Sequence, residues 1–214
     1  MNKLKPGLII AISGGPGTGK SSLVRRLAKH YAAEALFEGE EKDFPETVRE
    51  GIKTGQNQLA TRMYFRNKTF GQYQQALQHK KAGRIVFLDN FWLVNEVCCR
   101  EFLSDPFEKE LMSRAMEFDR QIFPWPDLII SLKASPEKIK EFVLARGRTF
   151  EVGSAFLERY ASIHNIHDKY LESFQIDNVI YLDRSLLDFK KEEDFAGLIQ
   201  IIEEKLNGET INNK

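Results

Sequence analysis

Residues 8–21 read Leu-Ile-Ile-Ala-Ile-Ser-Gly-Gly-Pro-Gly-Thr-Gly-Lys-Ser, an apolar run followed by a glycine-rich loop. Residues 14–21 fit the pattern G-x-x-x-x-G-K-S/T, a loop whose backbone amides surround nucleotide phosphates. The run from Leu8 to Ile12 is typical of a buried parallel strand. Apolar residues then recur at helical spacing up to Tyr31, which gives the loop the strand-to-helix setting that the pattern requires. The stretch therefore predicts binding of a nucleoside triphosphate.

Each part of this loop has a chemical role beside a phosphate group. Glycines let the backbone approach the phosphates, Lys20 balances their charge, and the Ser21 hydroxyl is a ligand for Mg²⁺. The predicted nucleotide-binding residues are Gly14, Gly15, Pro16, Gly17, Thr18, Gly19, Lys20, Ser21 and Ser22. The dinucleotide-binding pattern G-x-G-x-x-G fails here, because its third glycine would have to replace Lys20.

Composition limits the classes of protein to consider. The chain has 214 residues, of which 42% are hydrophobic and 29% are charged, so one domain over residues 1–206 and a C-terminal tail over 207–214 are predicted. Its 31 basic and 31 acidic residues cancel, so neither nucleic acid nor an anionic membrane is an expected partner. Short apolar runs, no signal sequence and only the neighbouring Cys98 and Cys99 favour a cytoplasmic protein.

The order of the remaining elements predicts the fold. Four further strands are expected over residues 34–38, 84–89, 127–132 and 178–182, with helical patterns between them. Helices are expected over 56–81, 106–123 and 135–145, and an apolar stripe that starts at Ser154 is assigned to the core. This alternation predicts a three-layer α/β/α sandwich with a five-stranded parallel sheet.

Carboxylates at two predicted strand ends are candidates for the chemistry, because ligands of open α/β sheets bind beyond the carboxyl ends of the strands. Asp89 ends an apolar strand and is predicted to bind Mg²⁺ together with Ser21, although it could also cap the next helix. Glu38 closes the second strand and could accept a proton from a hydroxyl group. The alternative for Glu38 is a solvated acidic face that it shares with Glu40, Glu41 and Asp43.

Basic and imidazole side chains add two more candidates. Arg146 and Arg148 flank a glycine between two predicted helices, where they could reach the oxygens of a transferring phosphoryl group. A solvated basic turn is the alternative. His164 and His167 have the spacing of metal ligands, but without a nearby cysteine a structural metal site is disfavoured.

From the phosphate loop to about Asp188 the chain resembles the bacterial deoxynucleoside kinases, of the deoxyadenosine and deoxyguanosine kinase group. The likeness is most specific in residues 126–137, and in Arg146-Gly147-Arg148-x-x-Glu151 with Phe156-Leu157 after it. The resemblance implies a fold of the P-loop kinase type, ATP and Mg²⁺ as cofactors, and a lid at about residues 146–153. It also implies that Arg146 and Arg148 contact phosphates and that Glu151 contacts the deoxyribose.

Two further roles follow from the same resemblance. Glu38 is the nearest match to the carboxylate that takes the proton of the 5′-hydroxyl, with Glu40 as a competitor because the family's usual Glu-Pro is Glu38-Gly39 here. Gln58 matches the glutamine that reads the base, with Arg62 or Arg66 close on the same helix face. The predicted catalytic residues are thus Lys20, Glu38, Arg146 and Arg148. The predicted substrate-binding residues are Gln58, Arg66, Asp89 and Glu151.

The chain also departs from this family. Asp89-Asn90-Phe91 stands where many relatives have Asp-Arg-Ser, and Phe142 stands where an arginine is usual. These departures leave room for a changed substrate, a slower enzyme or a nucleotide-binding relative without transfer activity.

We therefore predict a kinase that transfers the γ-phosphoryl group of ATP to the 5′-hydroxyl of a deoxynucleoside. The alternatives are a thymidylate or other nucleoside monophosphate kinase, which Arg62 and Arg66 keep open, and a non-catalytic nucleotide-binding protein. A GTPase is disfavoured because Asn67-Lys68-Thr69-Phe70 fails the N-K-x-D pattern at its fourth position. The expected partner is a nucleoside or nucleotide, and a homodimer is left open.

Overall fold

A five-stranded parallel sheet forms the centre of the computed structural model, which describes residues 4–39, 41–147 and 154–208. The strands are β1 (Ile9–Ser13), β2 (Glu34–Leu36), β3 (Val86–Asp89), β4 (Leu128–Lys133) and β5 (Val179–Asp183). Their order across the sheet is β2-β3-β1-β4-β5, and every neighbouring pair is parallel. The phosphate-loop strand β1 therefore lies at the centre of the sheet, next to β3 and β4.

The described residues form eight α-helices and one short 3₁₀ helix at Glu41–Asp43. The α-helices are α1 (Lys20–Tyr31), α2 (Glu46–Thr54), α3 (Gln58–Lys81), α4 (Leu93–Phe102), α5 (Pro106–Ile122), α6 (Pro136–Arg146), α7 (Ser154–Glu172) and α8 (Glu192–Asn207). Within the described ranges, no helix combines the length and the apolar composition that crossing a membrane requires.

Helices cover both faces of the sheet, as the side chains of β1 show. Successive residues of a strand point to opposite faces. Ile10 and Ile12 pack in one apolar cluster with α1 and α8, whereas Ile9 and Ala11 pack in a second cluster with α3 and α7. The three-layer α/β/α sandwich and the parallel sheet predicted from the sequence are therefore confirmed.

Local sequence explains where two of the predicted helices begin. Asp105 precedes Pro106 at the start of α5, and its carboxylate accepts hydrogen bonds from the amides of Phe107 and Glu108. Ser135 precedes Pro136 in the same way at the start of α6, and its hydroxyl accepts a hydrogen bond from an amide of the first turn. Proline suits the first position of a helix because its missing N–H would have no partner there.

Some predicted boundaries differ from the structure. The strand predicted over 34–38 ends at Leu36, because β2 lies at the edge of the sheet and pairs with β3 over only three positions. Glu38 therefore lies in the loop beyond the strand instead of at its last position. Helices α2, α4 and α8 are additional to those predicted, and α8 reaches Asn207, the first residue of the predicted tail.

Candidate functional site

The loop between β1 and α1 has a backbone shape that requires glycine. Gly14 has a φ of 131°, and an added Cβ would lie 2.3 Å from the carbonyl oxygen of Leu132 in β4. The carbonyl oxygen of Gly15 accepts hydrogen bonds from the hydroxyl of Thr18 at 3.0 Å and from Nζ of Lys20 at 2.9 Å. The loop is thus folded around its own lysine at the N-terminus of α1, where helix amides favour an anion.

The charge of Lys20 interacts with the charges of three other predicted site residues. Its side chain is buried, and burial lowers the pKa of its ammonium group. The carboxylates of Asp89 and Glu38 act in the opposite direction, whereas Arg146 adds to the lowering of the pKa. Three residues predicted from distant parts of the sequence therefore lie close enough to Lys20 for their charges to act on it.

The two predicted Mg²⁺ ligands are in direct contact. The Ser21 hydroxyl donates a hydrogen bond to Oδ2 of Asp89, since Asp89 ends β3 beside Ile12 of β1. A hydroxyl and a carboxylate beside a phosphate loop are the oxygen donors that Mg²⁺ prefers, and this ion usually completes its shell with water and substrate phosphates. The pair fits Mg²⁺, which when bound would neutralise charge on the phosphates. Within the described residues, no cluster of three or more histidine, cysteine or acidic side chains could hold a metal by itself.

A cavity of about 1490 Å³ connects this loop to the other predicted residues. This volume exceeds that of most single-ligand sites, so the cavity has room for a donor and an acceptor together. The loop residues that line it are Gly14, Pro16, Gly17, Gly19, Lys20, Ser21 and Ser22. Four other predicted residues also line it, namely Glu38, Gln58, Asp89 and Arg146.

Arg66 lies elsewhere. Its guanidinium group binds both carboxylate oxygens of the buried Asp119 on α5, at 2.8 and 2.5 Å, and it is not among the residues that line the cavity. Arg62, one turn earlier on α3, lines the cavity in its place. Arg66 was predicted to bind the substrate, but in the structure it links α3 to α5 and does not line the cavity.

Three predicted residues fall outside the described part of the chain. Arg148 and Glu151 lie in the range 148–153, which includes most of the predicted lid, and Glu40 stands alone between two described segments. The roles assigned to them stay predictions.

Two histidines of α7 contact the phosphate loop and the strand before it, a role that the sequence did not predict. Nε2 of His164 donates a hydrogen bond to the carbonyl oxygen of Pro16 at 2.9 Å. The ring fills the space beside Gly15, where an added Cβ would lie 2.5 Å from it. Nε2 of His167 lies 2.7 Å from the hydroxyl of Ser13. The i, i+3 spacing that suggested metal ligands instead places two imidazoles of α7 against β1 and its loop.

The second imidazole belongs to a buried network. Nδ1 of His167 donates to Asp168 at 3.1 Å, and the same carboxylate accepts a hydrogen bond from Ser131 at 2.7 Å. Burial raises the pKa of Asp168, but these two hydrogen bonds together with nearby positive charge lower it below its usual value. Ser13, His167 and Asp168 resemble a nucleophile triad in kind, but Ser13 has no exposed surface. The network therefore fixes β1 and β4 to α7.

His164 predicts a pH dependence of stability. Burial and the nearby charge of Lys20 lower its pKa to about 4. An unfolded histidine titrates near pH 6.5, so from there down to pH 4 the unfolded state binds more protons and the folded state loses stability as the pH falls. We expect a loss of about 2 kcal/mol at pH 5 relative to pH 7.5.

Urea unfolding at these two pH values measures the effect. The loss should shrink in His164→Gln and persist in a variant of the exposed His30, His30→Gln. An unchanged pH dependence in His164→Gln would contradict the assignment.

A cation that the sequence did not suggest lies beside Phe142. The guanidinium carbon of Arg184 is 5.5 Å from the ring centroid of Phe142, and Nε donates to the carbonyl oxygen of Thr18 at 3.3 Å. Arg184 follows β5, and it lines the cavity. A cation is therefore present where Phe142 replaces the usual arginine, but it comes from another element.

Asn90, the other departure from the family, is also part of the site. It lines the cavity, it is buried, and its backbone has a positive φ of 75°, an uncommon conformation outside glycine. Its Oδ1 atom is buried without a hydrogen-bond partner. Strained backbone of this kind tends to occur at functional sites.

The chain is similar to known proteins over most of its length. A family model described as an AAA domain matches residues 9–125, which is more than half of the chain. The deoxyadenosine kinase of Lactobacillus acidophilus is 26% identical over 193 residues, which cover 85% of this chain and 87% of that protein.

Solved structures share the fold. A deoxyadenosine kinase from M. mycoides, with the products dCMP and a flexible dCDP bound, is 19% identical with a TM-score of 0.73, and the match covers 94% of this chain and 100% of that one. A NadR protein in complex with NR is 20% identical with a TM-score of 0.68, and the match covers 97% of this chain and 53% of that one. The resemblance to deoxyadenosine kinases that the sequence suggested is confirmed.

Proposed function

The chain belongs to this AAA domain family, and we propose that it is a kinase that transfers the γ-phosphoryl group of ATP to the 5′-hydroxyl of a deoxynucleoside. One observation carries the proposal. The phosphate loop, with Lys20 and the Ser21–Asp89 pair, shares a cavity with a carboxylate, Glu38, whose charge acts on Lys20. The named activity of the Lactobacillus acidophilus relative supports the same reaction.

Each of these cavity residues has its own role in the proposed reaction. Lys20 and the loop amides hold the β- and γ-phosphates, while Ser21 and Asp89 hold Mg²⁺. Glu38 accepts the proton that the 5′-hydroxyl loses as its oxygen bonds to the γ-phosphorus, and the bond from that phosphorus to ADP breaks. Arg146 and Arg184 add positive charge on the donor side. Catalysis of this kind is mainly positioning and charge stabilisation.

The lid completes the proposed site. Arg146, the first residue of the predicted lid, ends α6 and lines the cavity. We assign Arg148 to the phosphates and Glu151 to the deoxyribose, as the resemblance to deoxynucleoside kinases implies. A cytoplasmic salvage reaction is consistent with the two free cysteines.

A panel of acceptors tests the proposal. Labelled ATP and Mg²⁺ are incubated with each deoxynucleoside and, separately, with each deoxynucleoside monophosphate. We expect labelled monophosphates from the nucleosides and little transfer to the monophosphates. Preferential formation of diphosphates would favour the nucleoside monophosphate kinase, and tight ATP binding without any labelled product would favour the non-catalytic alternative.

We also propose that the protein forms a homodimer through α5. Four large apolar side chains on this helix are 41–85% exposed: Phe107, Leu111, Phe118 and Ile122. Their spacing is symmetric about the middle of the helix, so an antiparallel second copy would place Phe107 against Ile122 and Leu111 against Phe118. Self-complementary surfaces of this kind form two-fold dimers.

Phe118→Asp should therefore weaken the dimer at least about tenfold, because a buried phenylalanine contributes about 1.5–3 kcal/mol. Light scattering across a dilution series measures the oligomeric state. Glu117→Gln, one residue away, is the matched control. A wild-type protein that is monomeric throughout the series would contradict the proposal.

A further inference from the structure

Arg62 is a buried cation in the wall of the cavity. Its residue is only 8% exposed, and its guanidinium carbon lies 4.7 Å from the ring centroid of Phe102 and 5.5 Å from that of Phe65. Nε has no hydrogen-bond partner, the Cys98 thiol beside the guanidinium is only a weak acceptor, and no carboxylate among the described residues forms an ion pair with this group. Burial of a charged donor without a partner is costly, so a ligand that supplies acceptors would be stabilised here.

Two amide oxygens of the same cavity are also without partners. Gln58 lies one turn before Arg62 on α3, and its Nε2 donates to the carbonyl oxygen of Gly51 at 2.6 Å. This bond fixes the orientation of the amide, so that Oε1 is the buried atom without a partner. Oδ1 of Asn90 is also buried without a hydrogen-bond partner, and the side chains of Gln58, Arg62 and Asn90 all line the cavity. The cavity wall thus contains an unsatisfied guanidinium Nε and two unsatisfied amide oxygens.

The surroundings of Arg62 suit a planar heterocycle more than a phosphate group. Aromatic rings of Phe44, Phe65 and Phe102 line this part of the cavity, and flat rings stack well on such groups. Most other cations of the cavity come from α1, α6 and the segment after β5: Arg25, Arg26, Lys138, Arg146, Arg184, Lys190 and Lys191. A phosphate with nearly two negative charges would be stabilised more by that group of cations than by Arg62 alone.

We propose that Arg62 selects the base of the acceptor nucleoside, and that it favours bases with two adjacent hydrogen-bond acceptors on one edge. The inference rests on the proposed nucleoside kinase activity, which it makes more specific. A guanidinium group has five donors and no acceptor, in a fixed fork. The fork matches O6 and N7 of a 6-oxopurine, the commonest specific contact of arginine with a base, and it also matches N3 and O2 of cytosine.

Adenine and uracil lack such an edge. Adenine places its N6 amino group beside N7, so one arm of the fork faces another donor, whereas an amide side chain would satisfy both atoms. Uracil carries an N–H between its two carbonyl oxygens. Deoxyinosine and deoxyadenosine are therefore a matched pair of purines, and deoxycytidine and deoxyuridine are a matched pair of pyrimidines.

The test measures kcat/KM with ATP, and also the dissociation constants by calorimetry with a non-hydrolysable ATP analogue, for these four nucleosides. We expect each favoured nucleoside to exceed its partner at least about fivefold in the wild type. Arg62→Gln should bring the pyrimidine ratio to within about twofold and lower the purine ratio to one or below, because its amide matches N6 and N7 of adenine. Arg62→Lys should also lose the preference because it keeps the charge but not the fork. Lys68→Gln, an exposed cation on the same helix, is the control and should keep the wild-type ratios.

Several results would overturn the inference. Wild-type ratios near one, or ratios that Arg62→Gln leaves unchanged while ATP affinity shows a folded site, would show that Arg62 does not read the base. Deoxynucleoside monophosphates that bind more tightly than all nucleosides, and lose this advantage in Arg62→Gln, would assign Arg62 to a phosphate. The calorimetric ratios keep the test separate from the activity, because a protein that transfers no phosphoryl group can still show or lack the base preference.

Discussion

Replacing Lys20 with alanine is expected to reduce phosphoryl transfer on the order of 10³-fold or more, with little change in the fold. The ammonium group is buried among the loop, Asp89 and Glu38, and its charge must act on the phosphates when the donor binds. Removal of one group that stabilises developing charge in such a site has effects of this order. Lys20 donates its hydrogen bond within the loop, to Gly15, so its loss leaves the packing of α1 against the sheet in place.

Single-turnover transfer from labelled ATP measures this loss, and thermal unfolding monitors the fold. Lys29→Ala, an exposed lysine on the same helix, is the matched control and should keep wild-type turnover. If Lys20→Ala kept wild-type turnover, the glycine-rich loop would not be the phosphate-binding loop.

Glu38→Gln is expected to lower kcat by about 10² to 10⁴ while ATP affinity barely changes. The amide keeps the shape of the side chain but cannot accept the proton of the 5′-hydroxyl, and a correctly placed general base contributes a factor of this size. Steady-state kinetics with saturating ATP give kcat, and a fluorescent ATP analogue gives the affinity.

Glu40→Gln is the internal comparison for the base. A large loss of kcat in Glu40→Gln, with almost no loss in Glu38→Gln, would assign the proton acceptor to Glu40. If both variants of an active enzyme were silent, the acidic segment would be a solvated face and the proposed proton acceptor would be lost.

Sequence reasoning predicted best what depends on local chemistry. The function of the eight-residue phosphate loop could be predicted from its sequence alone, because its glycines, lysine and serine each match one part of a bound nucleotide. The parallel sheet also followed from local patterns, since strands buried on both faces read as apolar runs. Asp89 could be found because it ends such a run, and parallel strand ends meet at one edge of the sheet.

Side chains whose partners are distant in sequence could not be assigned in this way. Arg62 and Arg66 occupy the same face of α3, and only the position of Asp119 on α5 decides which of them is free to face the cavity. His164 contacts Pro16, which lies 148 positions earlier in the sequence, and Arg184 contacts Thr18 from the segment after the last strand. Contacts of this kind depend on how helices pack on the sheet, which helical periodicity alone does not fix.

Identification of the product tests the central proposal most directly. The protein is incubated with ATP labelled in its γ-phosphoryl group, Mg²⁺ and a deoxynucleoside, and the labelled products are separated and identified by mass spectrometry. We predict that the label appears in the deoxynucleoside 5′-monophosphate, in an amount equal to the ADP formed, and that Lys20→Ala forms neither. Label recovered only as inorganic phosphate, or only in a diphosphate after addition of a monophosphate, would contradict transfer to the 5′-hydroxyl.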